Sequence, residues 1–263
     1  PENIRDEIAE LVEAGVTEIG LVAQDLAAFG RDMGGAGIVD LLRMATTVAD
    51  LRRLRLYYLY PREIRPELID EMAGNPIIAD YFDLSLQHTS VDLLRAMKRP
   101  GSGDRHRALI EEIRKASPEA ALRSSFIVGF PGETDDDIDG LAEFLVDVRL
   151  DWAGFFPYSP EEGTAAAGMD HQIPENVKQE RLRQLQSIQE EVTTGRSIDQ
   201  IGRTVTVVVD QVEDGQPVAR SYRQAPEIDG VILLDRGSPA EWLSAEIVGG
   251  YGTDLDGLVR GPA

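Results

Sequence analysis

Short apolar runs alternate with amphipathic stretches through about the first 160 residues, and this alternation constrains the fold more than any other feature. The apolar runs are continuous, which is typical of parallel strands covered by helices. The stretches between them repeat with helical periodicity. The pattern predicts an α/β unit, which is either a partial or complete parallel barrel or an open sheet. The five predicted strands lie near residues 17–23, 54–60, 77–87, 122–128 and 152–158.

The pattern changes after residue 173. One amphipathic helix begins near Pro174 and ends near Gly195, and short strand-like runs separated by Gly and Pro follow it. About 60 residues of short strands predict a small closed barrel of OB-like size. We therefore expect a partial α/β barrel at 1–173, a connecting helix at 174–198 and an all-β barrel at 199–263.

Charge and cysteine content limit the binding partners and the metal sites that this chain can have. The 263 residues include 47 acids and 26 bases, and the net charge of −21 repels phosphate backbones and attracts basic partners. An adaptation to salt or for solubility accounts for this charge equally well. No cysteine is present, which excludes disulfides and thiolate-ligated zinc or iron–sulfur sites built from this chain. The three histidines lack a paired spacing, so we expect no metal site.

Membrane and export signals are also absent from the sequence. No stretch reaches the roughly 18 consecutive apolar residues of a membrane span. No basic and apolar leader opens the chain. We expect a cytoplasmic protein without a membrane partner.

Polar side chains stand at the ends of the predicted strands. Ligands of parallel α/β units bind at these carboxyl ends, so the pattern predicts a pocket for a polar small molecule. Arg99 precedes Pro100 and can reach a carboxylate. His88 is a candidate ligand or base, although a lone histidine is more often a satisfied hydrogen-bonding residue. The other strand-end candidates are Gln24, Asp25, Ser85, Gln87, Ser125, Phe156 and Tyr158.

The segment 129–134, Gly-Phe-Pro-Gly-Glu-Thr, is the most distinctive local motif. Thr134 can cap the following helix, and the three aspartates after it suit the first helical turn. Gly129 and Gly132 allow close approach of a ligand to the backbone. Physical reasoning alone favours a tight, capped turn, and the aspartates argue against a phosphate there.

Several motifs occur in a fixed order along the chain. They are 21–25 (Leu-Val-Ala-Gln-Asp), 58–61 (Tyr-Leu-Tyr-Pro), 86–88 (Leu-Gln-His), 97–100 (Met-Lys-Arg-Pro), 127–134 (Ile-Val-Gly-Phe-Pro-Gly-Glu-Thr), 158–164 (Tyr-Ser-Pro-Glu-Glu-Gly-Thr), 220–222 (Arg-Ser-Tyr) and 225–230 (Ala-Pro-Glu-Ile-Asp-Gly). In this order they resemble the radical S-adenosylmethionine (SAM) methylthiotransferases, specifically the RimO type. The resemblance covers essentially the whole chain.

The resemblance implies a radical SAM partial barrel followed by a TRAM β-barrel. The family reaction adds a methylthio group to the β-carbon of an aspartate in ribosomal protein number twelve of the small subunit. The implied cofactors are SAM and two 4Fe–4S clusters, one for radical formation and one for sulfur delivery. By analogy, Gln24 and Asp25 lie near the methionine moiety, and Ser85, Gln87 and His88 near the ribose or substrate. Ser125, Gly129 and Glu133 then form the adenine side, with Arg99, Phe156 and Tyr158 also in the site.

The chain departs from the family where the clusters are ligated. The family uses a Cys-x3-Cys-x2-Cys loop and further N-terminal cysteines, and this chain has neither. We expect a fragment that lacks the N-terminal domain, the first barrel strand and the cluster loop. Such a chain ligates no cluster, is inactive alone and binds SAM weakly.

Charge separates the RimO type from the tRNA-modifying MiaB type. Residues 200–263 hold five Arg, no Lys and ten acids, so we expect the barrel to repel nucleic acid and attract a basic ribosomal protein. Three alternatives stay open: a MiaB-type enzyme, a non-catalytic module that binds the ribosomal protein, and an unrelated α/β-barrel enzyme.

Overall fold

The computed structural model describes residues 1–31 and 34–263. Within them the chain forms two compact units, Pro1–Phe126 and Ile127–Ala263. No helix of the described residues is long and apolar enough to cross a membrane.

The first unit alternates helices with strands, as the apolar periodicity predicts. Short 3-10 turns at Leu26–Ala28 and Pro61–Glu63 follow the first two strands. The regular elements are α1 (Glu2–Glu13), β1 (Glu18–Leu21), α2 (Ile38–Ala45), β2 (Arg53–Leu56), α3 (Pro66–Gly74), β3 (Tyr81–Gln87), α4 (Val91–Ala96), α5 (Gly103–Ala116) and β4 (Ala121–Val128), whose last two residues belong to the second unit.

The strands of the first unit are parallel and follow one another in sequence order. β1 pairs with β2, and β3 pairs with β4. Parallel bridges Leu54–Ile78 and Leu59–Leu84 join the chain at β2 to the chain at β3. An open doubly wound sheet reverses its strand order at a switch point, whereas a barrel wall does not. The 1-2-3-4 order therefore confirms the partial-barrel form of the predicted α/β fold.

β2 is shorter and more polar than the predicted strand at 54–60. Arg53 and Arg55 are buried in it, and both bind the carboxylate of Glu18 on β1, at 3.3 and 3.1 Å. The guanidinium of Arg55 also lies 4.6 Å from the ring centre of Tyr81. The strand ends early because Tyr58 has φ +56°, which is incompatible with extended pairing.

The second unit contains a helical part and a closed barrel. The helical part comprises α6 (Asp135–Val148), β5 (Trp152–Pro157) and α7 (Glu175–Ile198). The barrel has the strand order β10-β8-β7-β6-β9, which confirms the predicted small barrel. Its strands are β6 (Thr204–Glu213), β7 (Gln216–Arg220), β8 (Ile232–Leu234), β9 (Trp242–Tyr251) and β10 (Asp254–Pro262). Its core includes Val207, Val209, Ile232, Leu243, Ile247 and Leu255.

A buried aspartate ties α7 to the barrel. Asp151 accepts hydrogen bonds from Arg196 Nε on α7, at 3.0 Å, and from Arg223 of the barrel. Thr193 Oγ1 donates to the Asp151 carbonyl at 2.9 Å, and Ser197 Oγ donates to the Gly252 carbonyl at 2.8 Å. Hydrogen bonds from Asp151, which directly precedes β5, and from the barrel thus hold the C-terminal half of α7.

Candidate functional site

The carboxyl ends of β1, β2 and β3 open into one pocket in the first unit. Its volume is about 600 Å³, within the range of roughly 300–1,000 Å³ that small-molecule sites occupy. The residues that follow α4 close one side of it. The lining residues are Ala23, Gln24, Asp25, Tyr58, Tyr60, Ser85, Gln87, Met97, Lys98 and Arg99. Five sequence-predicted candidates are therefore together: Gln24, Asp25, Ser85, Gln87 and Arg99.

Backbone strain is concentrated at this pocket. Tyr58, Gln87 and Lys98 all have left-handed backbone conformations, with φ of +56°, +68° and +58°. In the described part of the first unit, Asp50 is the one other non-glycine residue with positive φ. Each such residue costs about 1–3 kcal/mol and persists when the surrounding structure imposes it, commonly at functional sites. Three left-handed residues from separate segments therefore meet at the pocket, in addition to its polar lining.

Asp83 holds the strained turn at Tyr58. Its Oδ2 accepts the Tyr58 N–H at 3.0 Å, and its Oδ1 accepts from Arg123 at 3.3 Å. Burial raises the pKa of the Asp83 carboxyl, and this effect exceeds the opposing effects of Arg123 and the Tyr58 amide. Asp83 is not among the residues predicted from the sequence to contact a ligand. The available signal was an acid inside an otherwise apolar strand.

His88 is fully buried and is not among the lining residues of the pocket. Its Nδ1 accepts the Ser90 N–H at 3.0 Å, as expected for a hydrogen-bonding residue. His106 is also buried, and its pKa falls to about 4, chiefly through desolvation and then through the charge of His88. A direct role of His88 toward a ligand stays a prediction.

The 129–134 segment forms a turn whose polar groups are hydrogen-bonded to other residues of the second unit. The Gly129 N–H donates to both carboxylate oxygens of Glu133 at 2.9 Å, and Arg181 donates to the same carboxylate at 2.9 Å. Thr134 and Asp137 form a reciprocal capping box, which confirms the predicted helix start. Gly129 has φ +80°, and a Cβ there would lie 2.4 Å from the Lys178 side chain. These bonds account for the motif structurally, so the adenine-side role of Gly129 and Glu133 stays a prediction.

Three further candidates lie near the ends of β4 and β5. Ser125 is half-buried on β4, and Phe156 is exposed on β5. The Tyr158 N–H donates to the Val128 carbonyl at 2.8 Å, so the residue that follows β5 hydrogen-bonds to the end of β4 within the second unit. The Tyr158 hydroxyl is buried without a hydrogen-bond partner among the described residues. That hydroxyl can therefore form a hydrogen bond with a ligand.

The residues that the structure describes contain no candidate metal site. In 1–31 and 34–263, no group of three or more His, Asp or Glu side chains is placed to hold an ion. The chain also has no cysteine.

Comparison with protein families gives two matches. Residues 1–145 match the Radical SAM superfamily, and residues 201–259 match the TRAM domain. Among solved structures, the radical SAM enzyme coproporphyrinogen III oxidase (HemN) from Escherichia coli aligns with a TM-score of 0.55 and 14% identity. That alignment covers 72% of this chain and 45% of HemN, and it supports the fold alone.

Curated relatives extend the match to nearly the whole chain. The "Ribosomal protein uS12 methylthiotransferase RimO" of Moorella thermoacetica is 45% identical over 240 residues, which are 91% of this chain and 54% of the relative. The protein of the same name from Streptomyces avermitilis is 42% identical over 260 residues, 97% of this chain and 52% of the relative. The chain thus spans about half the length of these relatives.

Proposed function

The chain belongs to the radical SAM superfamily, and we propose that it is the SAM-binding and substrate-docking part of a methylthiotransferase that modifies an aspartate of ribosomal protein uS12. The observation that carries this proposal is the 45% identity to the Moorella uS12 enzyme across 91% of the chain. The proposed parts are a radical SAM partial barrel at 1–173, a connecting helix at 174–198 and a TRAM barrel at 199–263. The reaction takes place in the cytoplasm, on the ribosomal protein or the ribosome.

The lining of the strand-end pocket fits SAM. Gln24, Ser85 and Gln87 carry hydrogen-bonding groups for the ribose and amino-acid parts, and Asp25 carries a carboxylate for the amino group. Tyr60 offers an aromatic face. SAM supplies a carbon-centred radical when it is bound to a reduced cluster, and these side chains bind and orient it. His88, Ser125, Gly129, Glu133, Phe156 and Tyr158 remain proposed contacts of the cofactor or substrate.

The iron–sulfur clusters do not fit this chain. Its residues include no cysteine, so the thiolate ligands of any cluster come from outside residues 1–263. We expect no 5′-deoxyadenosine when the isolated chain is incubated with iron, sulfide, a reductant and SAM. Formation of this product above background would contradict the assignment.

The barrel supports docking of a basic protein. Its five arginines are all used inside the second unit, whereas most of its ten acids are solvent-exposed. Five arginines against ten acids leave the barrel with a net charge of −5, and this favours a cationic protein over RNA. The arginine contacts are Arg203 to the Asp199 carbonyl, Arg220 to Asp210, Arg223 to Asp151, Arg236 to Asp235 and Arg260 to Glu246.

A chimeric enzyme tests the proposal. Residues 1–263 replace the matching region of the Moorella uS12 methylthiotransferase, and the reconstituted chimera is incubated with SAM, a sulfur source, uS12 and tRNA. We expect mass spectrometry to detect one methylthio group on a uS12 aspartate. The same chimera without reconstituted clusters is the matched control and should give none. A chimera that cleaves SAM and modifies tRNA instead of uS12 would establish the MiaB-type alternative.

A further inference from the structure

We propose that Arg99, assisted by Lys98, binds the side-chain carboxylate of the substrate aspartate in the strand-end pocket. This inference rests on the proposed function, because that function makes an aspartate the substrate. It assigns to specific residues the discrimination of aspartate from asparagine.

Positively charged residues are concentrated beside the pocket, although the chain as a whole is strongly negative. Residues 91–107 contain five Arg or Lys and two Asp, whereas the chain carries a net charge of −21. Two of these cations, Lys98 and Arg99, line the pocket itself. A cationic rim on an acidic protein attracts an anionic group to that position.

Neither pocket cation has a carboxylate partner among residues 1–31 and 34–263. The nearby Arg95 is bound to Asp92 at 2.7 Å. In contrast, no carboxylate of the described residues lies within 4.0 Å of Lys98 or Arg99. Asp25 is the sole acid among the described lining residues, and it too lies beyond that distance. Both cations are therefore available to a carboxylate brought by a ligand.

The structure fixes the direction of Arg99 before a ligand arrives. Its guanidinium carbon lies 5.4 Å from the ring centre of Tyr60, another lining residue. The Arg99 N–H donates to the Leu94 carbonyl at 2.7 Å, and the Lys98 N–H donates to the Arg95 carbonyl at 2.9 Å. These bonds end α4, with Lys98 in the left-handed position that glycine commonly occupies. A guanidinium held on an aromatic ring loses little freedom when it binds.

A guanidinium matches a carboxylate better than it matches an amide. Its planar fork donates two parallel hydrogen bonds to the two oxygens of an ionised aspartate, and the opposite charges strengthen both bonds. Asparagine has one such oxygen and no charge. The competing ligand of the same chemistry is the carboxylate of SAM itself, and the test must separate the two sources.

Titration of the full chain followed by NMR provides this test. The probes are the N-acetyl, N-methylamide derivatives of L-aspartate and L-asparagine, and the readout is the side-chain Nε–H signal of Arg99, identified by its loss in Arg99→Lys. We expect a saturable shift with the aspartate probe and at least about tenfold weaker binding of the asparagine probe.

Variants then assign the carboxylate contact, with binding followed by backbone amide shifts. Arg99→Ala should weaken the aspartate probe about tenfold and leave the asparagine probe unchanged, and Lys98→Ala should weaken the aspartate probe by a smaller factor. Arg95→Ala removes the same charge from the same segment, but from a cation that Asp92 already pairs, and it should bind as the unmodified chain does. Lys98→Ala also keeps the test decisive if Arg99→Ala does not fold.

Three results would overturn the inference. They are equal binding of both probes, unchanged aspartate binding by Arg99→Ala, and a shift of the Arg99 signal by S-adenosylhomocysteine with none by the aspartate probe. The last result assigns Arg99 to the cofactor. Failure of the proposed function is seen separately: a chimera that leaves uS12 unmodified, alongside normal aspartate binding here, refutes that function and keeps the carboxylate site.

Discussion

Arginine has opposite uses in the strand-end pocket and in the barrel. In the second unit, Arg223 and Arg220 are buried and bound to aspartates. At the pocket of the first unit, Lys98 and Arg99 have no carboxylate partner among the described residues. A buried pair holds structure together, whereas a cation left without a counter-charge in a pocket retains capacity for a ligand. The contrast separates arginines that are bound within the fold from cations that can accept a ligand, as proposed for Lys98 and Arg99.

Backbone strain differs between the two regions in the same way. In the barrel, the non-glycine residues with positive φ are Asp214, Glu227 and Ala240, and all three are exposed at turns. At the pocket, Tyr58, Gln87 and Lys98 come from three separate segments and line one site. The left-handed residues of the barrel thus lie at separate turns, whereas those of the first unit meet at the pocket proposed to bind a ligand.

The largest expected effect is on the barrel side of this comparison. Arg223→Ala leaves Asp151, which is 2% exposed, with only part of its counter-charge. We expect a loss of about 3–5 kcal/mol in the free energy of unfolding. Urea unfolding followed by the fluorescence of Trp152 and Trp242 measures it.

The matched control for that experiment is Arg260→Ala. Arg260 pairs with Glu246, and its side chain is 51% exposed. We expect a loss below about 1 kcal/mol, because exposed ion pairs contribute little. Equal losses in the two variants would mean that burial does not distinguish the barrel arginines.

Acid should destabilise the first unit through His106. Burial, and secondarily the charge of His88, lowers the pKa of His106 from 6.5 to about 4. As the pH falls, His106 is therefore protonated in the unfolded chain before it is protonated in the folded chain. The contribution of neutral His106 to the free energy of unfolding is complete above pH 6.5 and is lost as the pH falls to about 4. The loss amounts to roughly 3 kcal/mol. Urea unfolding followed by circular dichroism measures it across this pH range.

The control for the acid effect is His106→Gln, which removes the titrating group. The stability difference between the unmodified chain and this variant should change across the same pH range. A constant difference would show that His106 does not titrate as its burial requires. Residues 199–263 contain no histidine, so the barrel has no group of this kind.

The smallest expected effect is the change in the free energy of unfolding when the left-handed backbone at Lys98 is relieved. Lys98→Gly and Lys98→Ala both remove the charge, but only glycine relieves the left-handed conformation. We expect the glycine variant to be about 1 kcal/mol more stable than the alanine variant by urea unfolding. Equal stability would mean that φ +58° carries no strain at this position.

Much of the fold follows from the sequence, because apolar periodicity reports which face of each element is buried. The helices, the five strands and the small barrel are found near their predicted positions, and the family matches confirm the resemblance inferred from the motifs. Burial of Arg53 and Arg55 could not be predicted, because their partner Glu18 is about 35 residues away and becomes a neighbour only through strand pairing.

The site is predictable in part for a related reason. Strand ends meet at one edge of a parallel sheet, so Gln24, Asp25, Ser85 and Gln87 could be grouped before any coordinates. The role of Asp83 could not be inferred, because it depends on the left-handed turn at Tyr58. The bond between Glu133 and Arg181 likewise could not be inferred, because Arg181 lies 48 residues further along the chain.

Helix α7 makes hydrogen bonds at both of its ends to different parts of the second unit. Near its start, Lys178 Nζ donates to the Tyr158 carbonyl at 2.7 Å, and Arg181 binds Glu133. Near its end, Thr193 and Ser197 bond to the Asp151 and Gly252 carbonyls. Its 24 residues span about 36 Å, so one helix is hydrogen-bonded both near the glycine turn and at the barrel. An exchange of TRAM modules between relatives must therefore include this helix, because the barrel alone would lose the bonds that its last turns make.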